Sequence, residues 1–253
     1  MSRAIRILAV DAGNSRVKWA LYENAAFTGQ GWLATNEPQR LDAEWQSMAE
    51  PDAVVIANVA GDVVGTYLES ACLRWGLFPT WVRGQIEQCG VSSAYDDPGQ
   101  LGPDRWAALI GAHVSAPGNC VVVCMGTATT IDALTGSGVF LGGMILPGLD
   151  LMHSSLASKT ARLGSERGEV VSFPRSTPDA ITTGAARATC GAIEHMLGEM
   201  QRAGHSSVSV IATGGAAPLI ATVCRFPLVL NDKLVLQGLV RIGEETTTKS
   251  GSS

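Results

Sequence analysis

The chain has 253 residues, 46% of them hydrophobic and 16% charged, with a formal net charge of −5. That length admits one large domain or two ordinary ones with ample core. The acidic balance excludes a general nucleic-acid-binding surface, yet leaves room for a small anionic substrate held by local positive groups. No apolar run reaches the length of a membrane span, and Asp11 and Asn14 interrupt the first apolar stretch, so it does not read as a signal peptide. The expectation is a cytoplasmic globular protein with neither nucleic acid nor membrane as partner. Cys72, Cys89, Cys120, Cys124, Cys190 and Cys224 show no zinc-knuckle spacing. They are expected to be reduced thiols.

The first stretch in the chain is also the most pointed. Residues 7–10 (Ile-Leu-Ala-Val) read as a buried strand. It runs into Asp11, Ala12, Gly13, Asn14, Ser15, Arg16, Val17 and Lys18. The small residues allow backbone N–H groups to come close to a phosphate, and Gly13 adopts angles that other residues avoid. Asn14, Ser15, Arg16 and Lys18 supply side-chain donors. Asp11, at the strand end, is placed to hold a Mg²⁺ that bridges phosphates. A β-hairpin with an exposed polar turn accounts for the same letters.

Strands follow at 17–22 and 33–35, then a helix at 39–48 that Pro51 ends. Residues 52–58 give a strong buried-strand signal. A helix over 63–75 has Val64, Tyr67, Leu68, Ala71 and Leu73 as its apolar face, and Gly76 is placed to end it. A short strand spans 79–82. Early strands followed by alternating helix and strand fit an α/β layer.

Turn-forming residues crowd 95–103, and a helix begins near Asp104. Asp104 fits a general base for a substrate hydroxyl, and Arg105 a planar fork for a carboxylate or phosphate. A capping aspartate beside a solvated arginine is the competing reading. At 117–119, Pro-Gly-Asn looks like a domain junction. The opening arrangement then recurs: residues 120–125 run as a buried strand into Gly126, Thr127, Ala128, Thr129 and Thr130. Two strand–turn–strand candidates, one in each half, suggest a duplicated α/β domain with a nucleotide in the cleft between the copies. The hydroxyls of Thr127, Thr129 and Thr130 suit a phosphate, although β-branched residues also simply suit strands. Helices are expected at 149–158, at about 176–200 with Thr177 as cap and Pro178 opening the helix, and at 234–245. Strands are expected at 208–212 and 228–230. Residues 213–217 form a third glycine turn, and the polar tail 246–253 reads as frayed.

Together these stretches resemble the type III pantothenate kinases of the actin/Hsp70/sugar-kinase superfamily. Asp11-Ala12-Gly13-Asn14-Ser15 resembles the family's first phosphate motif. Gly102-Pro103-Asp104-Arg105 resembles its Gly-x-Asp-Arg motif, and Gly126-Thr127-Ala128-Thr129-Thr130 its second phosphate motif. The resemblance implies duplicated ribonuclease H-like (actin-like ATPase) domains, here 1–117 and 118–253. It implies ATP-dependent phosphorylation of pantothenate, the first step toward coenzyme A. It makes Asp104 the base, with Tyr95, Gly102, Pro103, Arg105 and Thr177 at pantothenate. Residues 11–18 and Thr127 would hold ATP and Mg²⁺. It also implies a homodimer with sites near the interface and a need for K⁺ or NH₄⁺. One position departs: Cys124 stands where the second motif usually has an aspartate associated with the monovalent cation. A thiol is a poor ligand for K⁺, so weakened or altered cation dependence is expected. A catalytically impaired relative with an accessory or regulatory role is the alternative reading.

Overall fold

The structure is a computed structural model that describes residues 5–159 and 166–250. It divides into two compact units, one formed by Met1–Ala116 with Lys233–Ser253 and one by Pro117–Asp232.

In the first unit β1 (Ile7–Ala12), β2 (Arg16–Glu23), β3 (Ala26–Ala34), β4 (Ala53–Asn58) and β5 (Thr80–Trp81) form a sheet in the order β3-β2-β1-β4-β5. β1 runs antiparallel to β2 and parallel to β4. An apolar β1 is what this central position requires, because both of its faces are covered. Leu8, Val10 and Ala12 point into a core with Trp19, Leu21, Ile56 and Leu68. Trp45, fully buried, meets Trp19 edge-on at 6.0 Å and stacks on Trp75 at 5.8 Å. The expected helix at 39–48 is only a 3₁₀ turn (Pro38–Arg40) and one turn of helix, α1 (Leu41–Glu44). The chain leaves helical geometry at Trp45. In α2 (Asp62–Leu73), Val64, Leu68, Ala71 and Cys72 are buried, whereas Tyr67 and Leu73 are exposed, contrary to expectation. Two short strands unforeseen in the sequence, β6 (Glu87–Gln88) and β7 (Val91–Ser93), form a hairpin.

The second unit repeats the design. β8 (Cys120–Met125), β9 (Ala128–Leu134), β10 (Val139–Pro147), β11 (Ser209–Thr213) and β12 (Val229–Leu230) run in the order β12-β11-β8-β9-β10. β8 is antiparallel to β9 and parallel to β11, as β1 is to β2 and β4. This shared topology is the duplicated α/β arrangement expected from the two glycine turns. α4 (Leu149–Lys159), α5 (Thr177–Arg202) and α6 (Ala217–Val223) complete the unit. Ser176, not Thr177, caps α5: its hydroxyl accepts from the Asp179 amide. Cys190 on α5 and Cys224 after α6 form a disulfide, which corrects the expectation of six reduced thiols. Their separation of 34 positions in the sequence carries no pairing signal; packing brings their Cα atoms to 5.4 Å. Cys72 and Cys120 are thiols whose burial pushes their pKa up to about 12.

The last helix, α7 (Leu234–Ser250), belongs to the first unit, so the second is 117–232 and not the expected 118–253. Glycines account for this. A Cβ at Gly238 would fall on the carbonyl of Ala107, and one at Gly111 on the carbonyl of Leu234. α3 (Pro103–Ser115) and α7 therefore pack backbone to backbone. At Gly243 a Cβ would press on Ile7 and Val55 at 3.0 Å, so α7 also lies close over β1 and β4. The helix continues to Ser250, where a frayed tail was expected from 246; residues 251–253 lie outside the described part.

Candidate active site

The turn between β1 and β2 is narrow. The Gly13 amide donates to the Arg16 carbonyl at 3.0 Å, and a Cβ on Gly13 would stand 3.3 Å from that oxygen. Asn14, Ser15 and Arg16 are exposed at its apex, whereas Ala12 and Val17 are buried and present only backbone. Thr35, just past β3, braces the turn: its hydroxyl donates to the Gly13 carbonyl at 2.7 Å and its amide to the Ser15 carbonyl at 3.2 Å. Sequence reading placed Thr35 in a strand and missed this role. A lone threonine after a strand carries no signal for it.

Asp11 ends the buried run of β1, and Lys18 is its cross-strand partner. Burial, and then the negative charge of Asp104, push the Asp11 carboxyl up from 3.8 to about 6, while Lys18 pulls it down. The start of α3 thus brings a second carboxylate to the end of β1. Gly102 is the N-cap residue of α3, and Asp104 lies inside its first turn, with Oδ1 accepting from the Arg105 amide at 2.9 Å. Asp104 therefore answers one orphan amide of the helix start without being the cap. A Cβ at Gly102 would approach Asp104 Oδ1 to 2.7 Å, so any larger residue there makes the carboxylate shift.

Arg105 is not a solvated arginine. It is 5% exposed, and its Nη2 donates to the Tyr95 hydroxyl at 3.2 Å. Its guanidinium also lies 5.8 Å from the centre of the Tyr95 ring. Trp106, next in the helix, donates from Nε1 to Gln88 at 2.8 Å, which fixes β6 against α3. The sequence-derived residues Asp11, Gly13–Lys18, Tyr95, Gly102, Pro103, Asp104 and Arg105 all belong to the first unit.

Thr127 and Thr177 belong to the second. Gly126, Thr127 and Ala128 are exposed between β8 and β9, with the Gly126 amide donating to the Ala128 carbonyl at 2.9 Å. The Gly148 amide donates to the Thr127 carbonyl at 2.8 Å. Gly214, at a φ of +100° that favours glycine, packs against the Met125 backbone. Two further glycine turns thus support the Thr127 turn. Thr129 and Thr130 are buried in β9, so of the three threonines only Thr127 is exposed. Thr177 is the exposed first residue of α5.

Among the described residues no group of three or more His, Cys, Asp or Glu side chains is set to enclose a metal. A Mg²⁺ that arrives with a nucleotide needs only one or two carboxylates beside the phosphates. Asp11 and Asp104 fit that, since a cation there would offset the burial and, second to it, the Asp104 charge that raise Asp11.

The sequence pattern that defines the type III pantothenate kinases matches residues 7–199. The chain is 43% identical over 246 residues to a type III pantothenate kinase of Nitrosospira multiformis, with 97% of this chain and 94% of that one covered. It is 41% identical to a type III pantothenate kinase of Aromatoleum aromaticum, covering 94% of this chain and 98% of the relative. Among solved structures, MreB5 of Spiroplasma citri bound to ADP shares the fold at a TM-score of 0.52 and 11% identity, with 98% of this chain and 99% of that one covered. A glucokinase from an Antarctic psychrotroph does so at 0.53 and 11%, with 94% and 99% covered. These likenesses show an actin-like, sugar-kinase ATPase fold. With a sequence match that runs almost end to end, the chain belongs to the type III pantothenate kinase family.

Proposed function

We infer that this chain phosphorylates pantothenate with ATP to give 4′-phosphopantothenate, the first step of coenzyme A biosynthesis. The observation that carries this reading is the family match over nearly the full length, in a chain that keeps both Asp11 and an Asp104 whose charge acts on it. The accessory-protein alternative has Cys124 as its only support, and the paired carboxylates and the Arg105–Tyr95 contact argue against it.

Phosphoryl transfer asks for alignment and charge neutralisation more than for a strong nucleophile. Asp104 takes the proton of the primary hydroxyl of pantothenate as that oxygen bonds to the γ-phosphorus and the bond to the β-phosphate oxygen breaks. Arg105, steadied by Tyr95, holds the pantothenate carboxylate, with Gly102, Pro103 and Thr177 as further contacts. Backbone and side-chain donors from Asp11 to Lys18, together with Thr127, hold the ATP phosphates. Mg²⁺, when bound with ATP at Asp11, supplies charge neutralisation. The test is ADP release that requires pantothenate: turnover without it, or none with it, rejects the reading.

The monovalent cation fits less well. Cys124 brings sulfur where an oxygen ligand is wanted. In the β8–β9 register it faces Thr130, whose buried hydroxyl has no hydrogen-bond partner among the described residues, and Asp132 lies two residues along on the same face. These oxygens support a weakened or altered cation response, not a lost activity.

A homodimer is the further expectation. Leu141 and Ile145 on β10, and Leu151 and Leu156 on α4, are exposed apolar side chains that a second copy would cover. Light scattering on the purified chain tests this. A cytoplasmic location goes with an ATP-using enzyme of this family. No helix among the described residues is long and apolar enough to cross a membrane.

A further inference from the structure

Trp32 on β3 is 58% exposed, an unusual position for the largest apolar side chain, and none of the phosphate motifs includes it. It does not stand alone. The Arg16 guanidinium carbon lies 4.5 Å from its ring centre. The sheet explains how they meet. Asp11 pairs with Lys18, and Lys18 pairs with Trp32, so these three side chains form one cross-strand row on one face. Arg16, two residues before Lys18, projects from that same face at the apex of the turn. Arginine at an exposed apex has many rotamers open to it. A flat aromatic face beneath the guanidinium leaves few of them while keeping the N–H groups of its edge free to donate.

We propose that Trp32 is a positioning residue for ATP, holding the Arg16 guanidinium on its ring at the angle from which it meets the phosphates. The proposal rests on the reading that residues 11–18 bind ATP. Trp32 touches no substrate; it acts through Arg16. Thr35, just past the end of β3, holds the backbone of the same turn, so this end of the edge strand serves the turn in two ways.

Steady-state kinetics on Trp32→Ala, Trp32→Leu, Trp32→Phe, Arg16→Ala and the Trp32→Ala/Arg16→Ala double variant test this. Trp32→Ala and Trp32→Leu should raise KM for ATP about two- to fivefold, the range of an exposed cation–π contact, and move kcat and KM for pantothenate less. Trp32→Phe, which keeps an aromatic face, should stay near the parent chain. The double variant should be no worse than Arg16→Ala. A Trp32→Leu variant with parental KM for ATP overturns the proposal, because bulk alone would then suffice. Multiplying penalties in the double variant also overturn it. If Arg16→Ala raises KM for ATP and Trp32→Ala does not, only the positioning role falls. If Arg16→Ala leaves KM for ATP unchanged, the assignment of Arg16 to ATP falls and takes this proposal with it. Should Trp32→Ala fail to fold, the Leu and Phe variants decide.

Discussion

Asp104, in the first turn of α3, sets its negative charge against Asp11, at the end of β1. Burial is the larger cause and the Asp104 charge the second in raising the Asp11 carboxyl from 3.8 to about 6. Two acids so placed repel each other in the empty enzyme and suit a cation in the working one. They also make the site a source of instability, which gives the first prediction.

An acid whose pKa rises on folding destabilises the fold once it is ionised. For Asp11 this cost is absent below its ordinary value of 3.8, grows as pH rises toward about 6, and is complete above that. Asp11→Asn should therefore stabilise the chain at neutral pH by on the order of 2 kcal/mol, and the gain should vanish near pH 3.5. Denaturant titrations of both proteins across that range check the sign. A gain that grows toward acid pH would contradict it.

Removing the Asp104 carboxylate should leave the fold intact and lower kcat at least about a hundredfold, the usual scale of general base catalysis. Full turnover by folded Asp104→Asn would show that Asp104 is not the base.

Gly102→Ala tests whether the position of that carboxylate matters. The added methyl would stand 2.7 Å from Asp104 Oδ1 and force the side chain to shift. The expected result is a drop in kcat of about tenfold or more, since small misplacements at a reacting centre cost rate steeply, with little change in KM for ATP. Unchanged kcat would mean that Asp104 adjusts freely.

At Gly238 the consequence is for folding. A methyl there has no room against the Ala107 carbonyl, so α7 must lift from α3. Gly238→Ala should cost about 3 kcal/mol or more, beyond the usual range for overpacking because the obstacle is backbone. Thermal melting reads this directly, and a melting temperature within a degree or two of the parent would refute the packing account.

With or without K⁺ or NH₄⁺, turnover by the parent chain should change little, and Cys124→Asp should gain a response to either ion. Strong activation of the parent chain by either ion would end the idea that Cys124 weakens the cation's role.

The repeated strand–turn–strand was legible because buried apolar runs meeting small residues leave a clear mark, as at Val10–Asp11 and Met125–Gly126. So was the Asp104–Arg105 pair, since turn residues crowd before it. Tertiary relations were not legible. Lys233–Ser253 returns to the first unit through contacts with residues more than a hundred positions away. Neither the burial of Arg105 against Tyr95 nor the brace from Thr35 depends on local pattern. The disulfide between Cys190 and Cys224 follows from how α5 and α6 pack, which no spacing rule supplies.

The central claim is tested most directly by incubating the purified chain and its Asp104→Asn variant with ATP, Mg²⁺ and pantothenate, then weighing the products. The parent chain should yield pantothenate heavier by one phosphoryl group, and the variant almost none over the same time. Unmodified pantothenate with the parent chain, or equal product from both proteins, would contradict the account.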